Sequence, residues 1–412
     1  MPATGGRRLM AGAFAIALAI ATLPAARAED AIVVGMSAAF SGPSAQLGIA
    51  LYRGSMARIA EVNAAGGVHG RHIRVVAYDD GYDPNRAIFN TVKLIDQDGV
   101  FLLFNYVGTP TVTRVLPVLV KFRARNALLF FPFTGAQPQR EPPYADVAYN
   151  LRASYADETE ALVEHFLGQG RQRIGLLYQI DAYGRSGWEG VRHALAARGA
   201  GLAAEATYRR GTAYEASLAA QVRILRDAGA DAVVIIGAYA ASAAFIRDAV
   251  DAGWDVPIAN VSFVGSESML DVLLAEGRRT GRDYTRGLVT SQVVPSYEDL
   301  SLPAVREYRA LVAKHRPGPP PGVETPSRDD RVSFVGFEGY LNATLLVEIL
   351  ERMGPAPDRA NLHRIVDGIR DLDLGIAAPV TFAPGRNQGL ERVYLTEVRD
   401  GRFVPVGAGG DR

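Results

Sequence analysis

Ala232-Val233-Val234-Ile235-Ile236-Gly237 is apolar at every position and ends in glycine, with a helical pattern beginning at Ala241. A strand that faces solvent on one side alternates apolar and polar residues. An uninterrupted apolar run marks a strand buried on both faces, the signature of a parallel sheet covered by helices. The neighbouring sequence repeats the unit. Working backward, strands are predicted over 202–208 and 173–178, with helices over 215–228, 187–197 and 157–167 between and before them. Working forward, a helix is predicted over 241–252 and a strand over 258–261.

The same alternation fills the stretch nearer the N-terminus. Strands are predicted at 32–35, 73–77, 101–104 and 127–131, with helices over 49–63, 84–95 and 111–122 between them. Gly66-Gly67 ends the first helix and Pro84 starts the second, each where its backbone suits the position. Two α/β halves of similar plan therefore meet near residues 150–153. The tail breaks the rhythm. It carries a strand over 287–294, helices over 302–314, 334–353 and 362–369, strands over 379–382 and 393–398, and an Asp400-Gly401 hairpin turn. Residues 315–330, rich in proline and charge, are expected to form an exposed, poorly ordered loop.

Composition excludes several functions. The 412 residues hold 44 basic and 44 acidic side chains, which argues against a nucleic-acid surface. Cysteine is absent, so disulfides and thiolate chemistry are excluded. Arg7 and Arg8, an apolar run over 9–23, and Ala26-Arg27-Ala28 read as an export signal cleaved after Ala28, which implies a periplasmic protein. No metal motif, phosphate loop or nucleophile elbow occurs, and neither a cofactor nor enzymatic activity is expected. An exported hydrolase using Ser186 or Ser266 is the alternative from another class.

In an open α/β sheet, ligands sit beyond the carboxyl ends of the strands. The loops there are rich in hydroxyls, glycine and aromatic rings: Phe40-Ser41-Gly42-Pro43-Ser44-Ala45-Gln46-Leu47-Gly48, then Asn105-Tyr106-Val107-Gly108-Thr109-Pro110-Thr111, then Pro132-Phe133-Thr134-Gly135-Ala136. In the second half come Asp181-Ala182-Tyr183-Gly184, Ala238-Tyr239-Ala240 and Ser262-Phe263-Val264-Gly265-Ser266-Glu267. Their convergence on one edge suggests a partly apolar small-molecule cleft.

The first of these loops, with Val62-Asn63-Ala64-Ala65-Gly66-Gly67-Val68-His69-Gly70 and Tyr78-Asp79-Asp80-Gly81-Tyr82-Asp83-Pro84, resembles the periplasmic substrate-binding proteins of branched-chain amino-acid type ABC transporters. Asp181-Ala182-Tyr183-Gly184 and Gly287-Leu288-Val289-Thr290 add to the likeness. The resemblance implies the type I periplasmic-binding fold: two Rossmann-like lobes with parallel central sheets, joined by a three-crossover hinge near 150–153, 294–295 and 388–391. The lobes would be 31–150 plus 296–388, and 151–295 plus 389–412, after a signal peptide over 1–28.

It further implies a set of contacts by position. Gly108, Thr109 and Thr134 match the carboxylate side, Tyr183 and Tyr239 match second-lobe contacts, and Gln46 and Leu47 shape the side-chain pocket. Amino-acid-binding relatives carry an acid after the strand at 258–261, and Ser262 stands there in this chain. A buried ammonium without a countercharge costs several kcal/mol, so a standard α-amino acid is disfavoured. Tyr106, Phe133, Tyr183, Tyr239 and Phe263 are expected to line a site for an apolar or aromatic acid, with Glu267 or Glu338 as possible replacement acids. The partners implied are a small-molecule ligand and inner-membrane permease subunits, with the chain as a monomer. Presentation of the ligand to a receptor kinase or chemoreceptor is the alternative role.

Overall fold

A computed structural model describes residues 1–2, 31–324 and 331–407. All but the first two residues of the expected signal segment, and 325–330 of the expected loop, lie outside them. The first half runs β1 (Ile32–Ala38), α1 (Ala45–Ala64), β2 (Ile73–Asp79), α2 (Pro84–Asp96), β3 (Leu102–Phe104), α3 (Thr109–Lys121), β4 (Leu129–Phe130) and β5 (Ala148–Tyr149). These strands form one parallel sheet in the order β2-β1-β3-β4-β5.

The second half runs α4 (Tyr155–Gly168), β6 (Ile174–Gln179), α5 (Ala182–Ala196), β7 (Ala204–Tyr208), α6 (Ala219–Asp227), β8 (Ala232–Ile236), α7 (Tyr239–Asp251), β9 (Ile258–Asn260), α8 (Ser266–Thr280) and β10 (Leu288–Gln292). The all-apolar strand β8 lies between β6 and β9 and every residue of it is buried. Helix α8 was not anticipated. Its apolar Met269, Leu270 and Leu273 do recur at helical spacing, and Gly281 caps it in the left-handed conformation.

The tail divides between the two sheets. Helices α9 (Pro303–His315), α10 (Phe334–Met353) and α11 (Leu362–Val366) return to the first half, followed by a two-stranded ladder of β11 (Leu372–Asp373) and β12 (Pro379–Val380). Strands β13 (Tyr394–Arg399) and β14 (Arg402–Pro405) then extend the second sheet antiparallel, in the order β14-β13-β10-β9-β8-β6-β7. The close seat of α10 on α1 depends on glycine. A Cβ on Gly54 would fall 1.8 Å from the Gly336 carbonyl oxygen, so only glycine lets the two backbones approach so nearly.

Three segments pass between the sheets, and two of them are laced together. The Asn150 N–H donates to the Asn387 carbonyl at 2.7 Å, and the N–H groups of Gly389 and Leu390 donate to Asn150 and Leu151 at 2.8 and 2.9 Å. Arg140 braces this strip, donating through Nε to Gln388 at 2.6 Å and through Nη2 to the Arg152 carbonyl at 3.1 Å. The irregular stretch 316–324 is not simply exposed as expected: Pro320 is buried, and Pro317 faces the groove between the halves. Pro320 is thus covered although the stretch forms no element, while Pro321 is exposed. No helix among the described residues is long and apolar enough to cross a membrane.

Candidate ligand-binding cleft

The carboxyl ends of the two sheets face each other, and the loops there meet. Their shape starts from Asp79 and Asp80. Asp79 accepts from the backbone N–H of Phe40, Ser41 and Gly81 at 2.8, 3.1 and 2.9 Å. Asp80 accepts from Ser37 Oγ and from the Tyr82 N–H, both at 2.8 Å. These bonds hold the 40–48 loop against the turn after β2 and point Tyr82 into the cleft. Burial, followed by the charge of Asp79, pushes Asp80 up to about 7 despite those donors.

Five rings from both halves fill the space between the loops. Phe263 is their centre: it lies 4.6 Å from Tyr183, 5.3 Å from Phe133 and 6.2 Å from Tyr82, centroid to centroid. Tyr155 adds its ring 5.3 Å from Tyr183. Tyr82 and Phe133 come from the first half, and Phe263 and Tyr183 from the second. Tyr183, expected as a second-lobe contact, is fully buried, and its hydroxyl donates to the Gly237 carbonyl at 3.2 Å.

Tyr106 does not join these rings. Its side chain packs with α2 and α3 behind the sheet, its hydroxyl 3.1 Å from Thr91 Oγ1. The cause is strand alternation. Val107 bridges to Phe133 and takes the cleft side, so the residue before it points the other way.

Beside the rings lie the expected hydroxyls. Thr109 Oγ1 and Thr134 Oγ1 are 2.7 Å apart, with the Tyr155 hydroxyl 3.5 Å from Thr109. Gly108 precedes them at φ +102°, and a Cβ there would lie 2.0 Å from the Tyr82 ring. No side chain caps the first turn of α3, leaving a helix N-terminus open toward these hydroxyls.

Ser262 is drawn into a charged cluster that sequence reasoning missed. Its N–H donates to Glu158 Oε2 at 2.7 Å, and its Oγ accepts from Arg152 Nη2. Glu158 also accepts from Ser291 Oγ at 2.7 Å and pairs with Arg152 at 3.2 Å. Glu338 stands 3.5 Å from Arg152 on its other side. All three charged side chains are buried. Arg152 and Glu158 flank a Ser154–Asp157 capping box, which marks a helix start but gives no sign that its neighbours turn inward.

Of the two acids considered as replacements, Glu338 therefore belongs to this cluster. Glu267 does not: it accepts from the Phe334 N–H at 3.0 Å, tying α8 to the start of α10. Burial pushes both carboxyls up to about 7.

Outward from the rings, a groove of about 830 Å³ opens between the halves, lined among others by Gln46, Leu47, Tyr239, Gly265 and Glu267. Ser266, considered as a nucleophile, accepts instead from Gln292 Nε2 at 2.8 Å.

The raised carboxyls give a pH dependence. Glu338 holds its proton more tightly folded than unfolded. The folded protein is thus favoured below the ordinary carboxylate range, and that advantage is lost as pH rises from about 4.5 through about 7. Glu338→Gln removes this loss. Between pH 5 and 8 the unfolding free energy of the variant should gain on the wild type by about 2 kcal/mol. Parallel curves in urea titrations across that range would show that Glu338 is ionised at no cost.

Two sheets facing across laced crossovers, with hydroxyls and rings between them, define a solute-binding protein. The chain belongs to the periplasmic binding protein family, which it matches over residues 31–402. It is similar to the Leu/Ile/Val-binding protein homolog 7 of Brucella abortus (strain 2308), at 26% identity over 410 residues covering 95% of each chain. The Leu/Ile/Val-binding protein of Escherichia coli (strain K12) is 25% identical over 271 residues, 66% of this chain and 69% of that one. Among solved structures, a possible leucine/isoleucine/valine-binding protein from Rhodopirellula baltica SH 1 superposes with a TM-score of 0.80 at 29% identity, covering 92% of this chain and 98% of that one.

Proposed function

We propose that the protein captures a small organic acid in the periplasm, closes over it, and delivers it to an inner-membrane ABC permease. The lobes would be 31–150 plus 296–388 and 151–295 plus 389–412, moving about the crossovers, once export has removed the segment ending at Ala28. One observation carries this reading: the Thr109 and Thr134 hydroxyls, at an uncapped helix start, lie beside a ring cluster contributed by both lobes. Donors at a helix N-terminus suit a carboxylate, and rings suit an apolar or aromatic body. A ligand touching both lobes favours the closed form over the open one. No chemistry on the ligand is required.

Relatives are named for leucine, isoleucine and valine, but Ser262 bonded to Arg152 is a poor partner for an ammonium. The test is a thermal-shift screen of amino acids, aromatic acids, aliphatic acids, amides and sugars. Ligand binding raises the unfolding midpoint by mass action. Acids lacking an ammonium should raise it, and the three branched-chain amino acids should not. Tight leucine binding by calorimetry would overturn the reading, as would a response confined to sugars or amides.

A further inference from the structure

Arg152 is buried where the lobes and hinge meet, yet its guanidinium is only partly paired. Nη2 is engaged by Glu158 and Ser262. Nη1 stands 3.5 Å from Glu338, and neither Nη1 nor Nε has a hydrogen-bond partner among the described residues. The group lies over Phe133, with Cζ 4.7 Å from the ring centroid. Glu158 already accepts three hydrogen bonds, one on Oε1 from Arg152 and two on Oε2 from the Ser262 N–H and Ser291 Oγ.

A buried donor left unpaired costs about 1–3 kcal/mol, and more when charged. An acceptor brought by the ligand would remove that cost. Arg152 also acts electrostatically on the Tyr155 hydroxyl, which lies 3.5 Å from Thr109 Oγ1, so the guanidinium is near the hydroxyls proposed to take a carboxylate. Two carboxylates share this corner: Glu158, taken up by Arg152, Ser262 and Ser291, and Glu338, which makes no hydrogen bond to Arg152. Burial keeps the Glu338 carboxyl partly protonated near neutrality, which weakens its pull on a cation.

We propose that Arg152 contacts the ligand and selects acids that carry an uncharged acceptor oxygen on the carbon beside the carboxylate, α-oxo acids, over the matching α-amino acids. An ammonium at that carbon would meet the guanidinium as a like charge. An α-oxo oxygen would accept from Nε or Nη1. The inference rests on the proposed reading of the cleft as an acid site, and the test separates the two.

Calorimetry on the mature chain compares two matched sets: phenylpyruvate, phenylalanine and phenylpropionate; and ketoisocaproate, leucine and isocaproate. In at least one set the α-oxo acid should bind at least tenfold more tightly than both partners. An amino acid binding as tightly as its α-oxo counterpart overturns the inference. So does a plain acid matching the α-oxo acid, although the acid site then stands. If no member of either set binds, both readings fall. Arg152→Lys keeps the charge and loses Nε, and should erase the preference for the α-oxo acid over the plain acid while the plain acid still binds. A preference that survives in a cooperatively folded Arg152→Lys protein rules Arg152 out as the selecting group. Should that variant not fold, the wild-type comparison alone decides.

Discussion

Glu158→Ala should destabilise the protein by about 3–5 kcal/mol, because it leaves a buried guanidinium without its hydrogen-bonded partner. Glu158 receives three donors: Arg152 Nη2, the Ser262 N–H and Ser291 Oγ. Arg152 belongs to the first crossover, Ser262 follows β9 and Ser291 lies on β10, so one carboxylate ties the hinge to two strands of the second lobe. Replacement by alanine leaves all three donors without this acceptor at once, at a site that is 0% exposed. Urea unfolding measures the loss. Replacing Arg152 and Glu158 together by methionine should recover part of it, since well-packed apolar side chains can substitute for a buried ion pair. A Glu158→Ala protein as stable as the wild type would mean that Arg152 is satisfied in some other way.

The second large effect is expected at Phe263. Its ring touches Tyr82 and Phe133 across the cleft and Tyr183 within its own lobe. Truncating a buried phenylalanine to alanine typically costs about 3–5 kcal/mol. Here part of that cost falls on closure, because opening the lobes would expose the same ring surface in wild type. Phe263→Ala should therefore lower the unfolding free energy and also shift the ligand-free protein toward an open form. Small-angle scattering would register this as a larger radius of gyration. If both the scattering profile and the unfolding midpoint stay at wild-type values, the ring cluster does not hold the lobes together.

Much of the architecture is legible in the chain because strands and helices leave local periodicities. The apolar run at 232–236 is β8, and the 334–353 helix has the bounds expected of it. Helix starts are displaced where a side chain caps earlier than apolar spacing indicates. Asp181 begins α5 at Ala182 by accepting from the Tyr183 N–H at 2.9 Å, five residues before the expected start at 187. The site was legible only in part. Loops at strand ends are found by topology, and the family resemblance then singled out Thr109, Thr134 and Tyr183 within them. Tyr106 was misplaced because a loop's alternation cannot be phased until the Val107–Phe133 bridge is seen.

The sequence alone determined that this is an α/β chain of two like halves with donor-rich loops on one edge, since those properties follow from periodicity and strand order. Only the tertiary structure decided which rings share a space and where the charges stand. Arg152, Glu158 and Glu338 are far apart in the chain or ordinary in their local setting. Their pairing depends on how the crossovers bring α4, α10 and β10 together, and no local pattern encodes that distance.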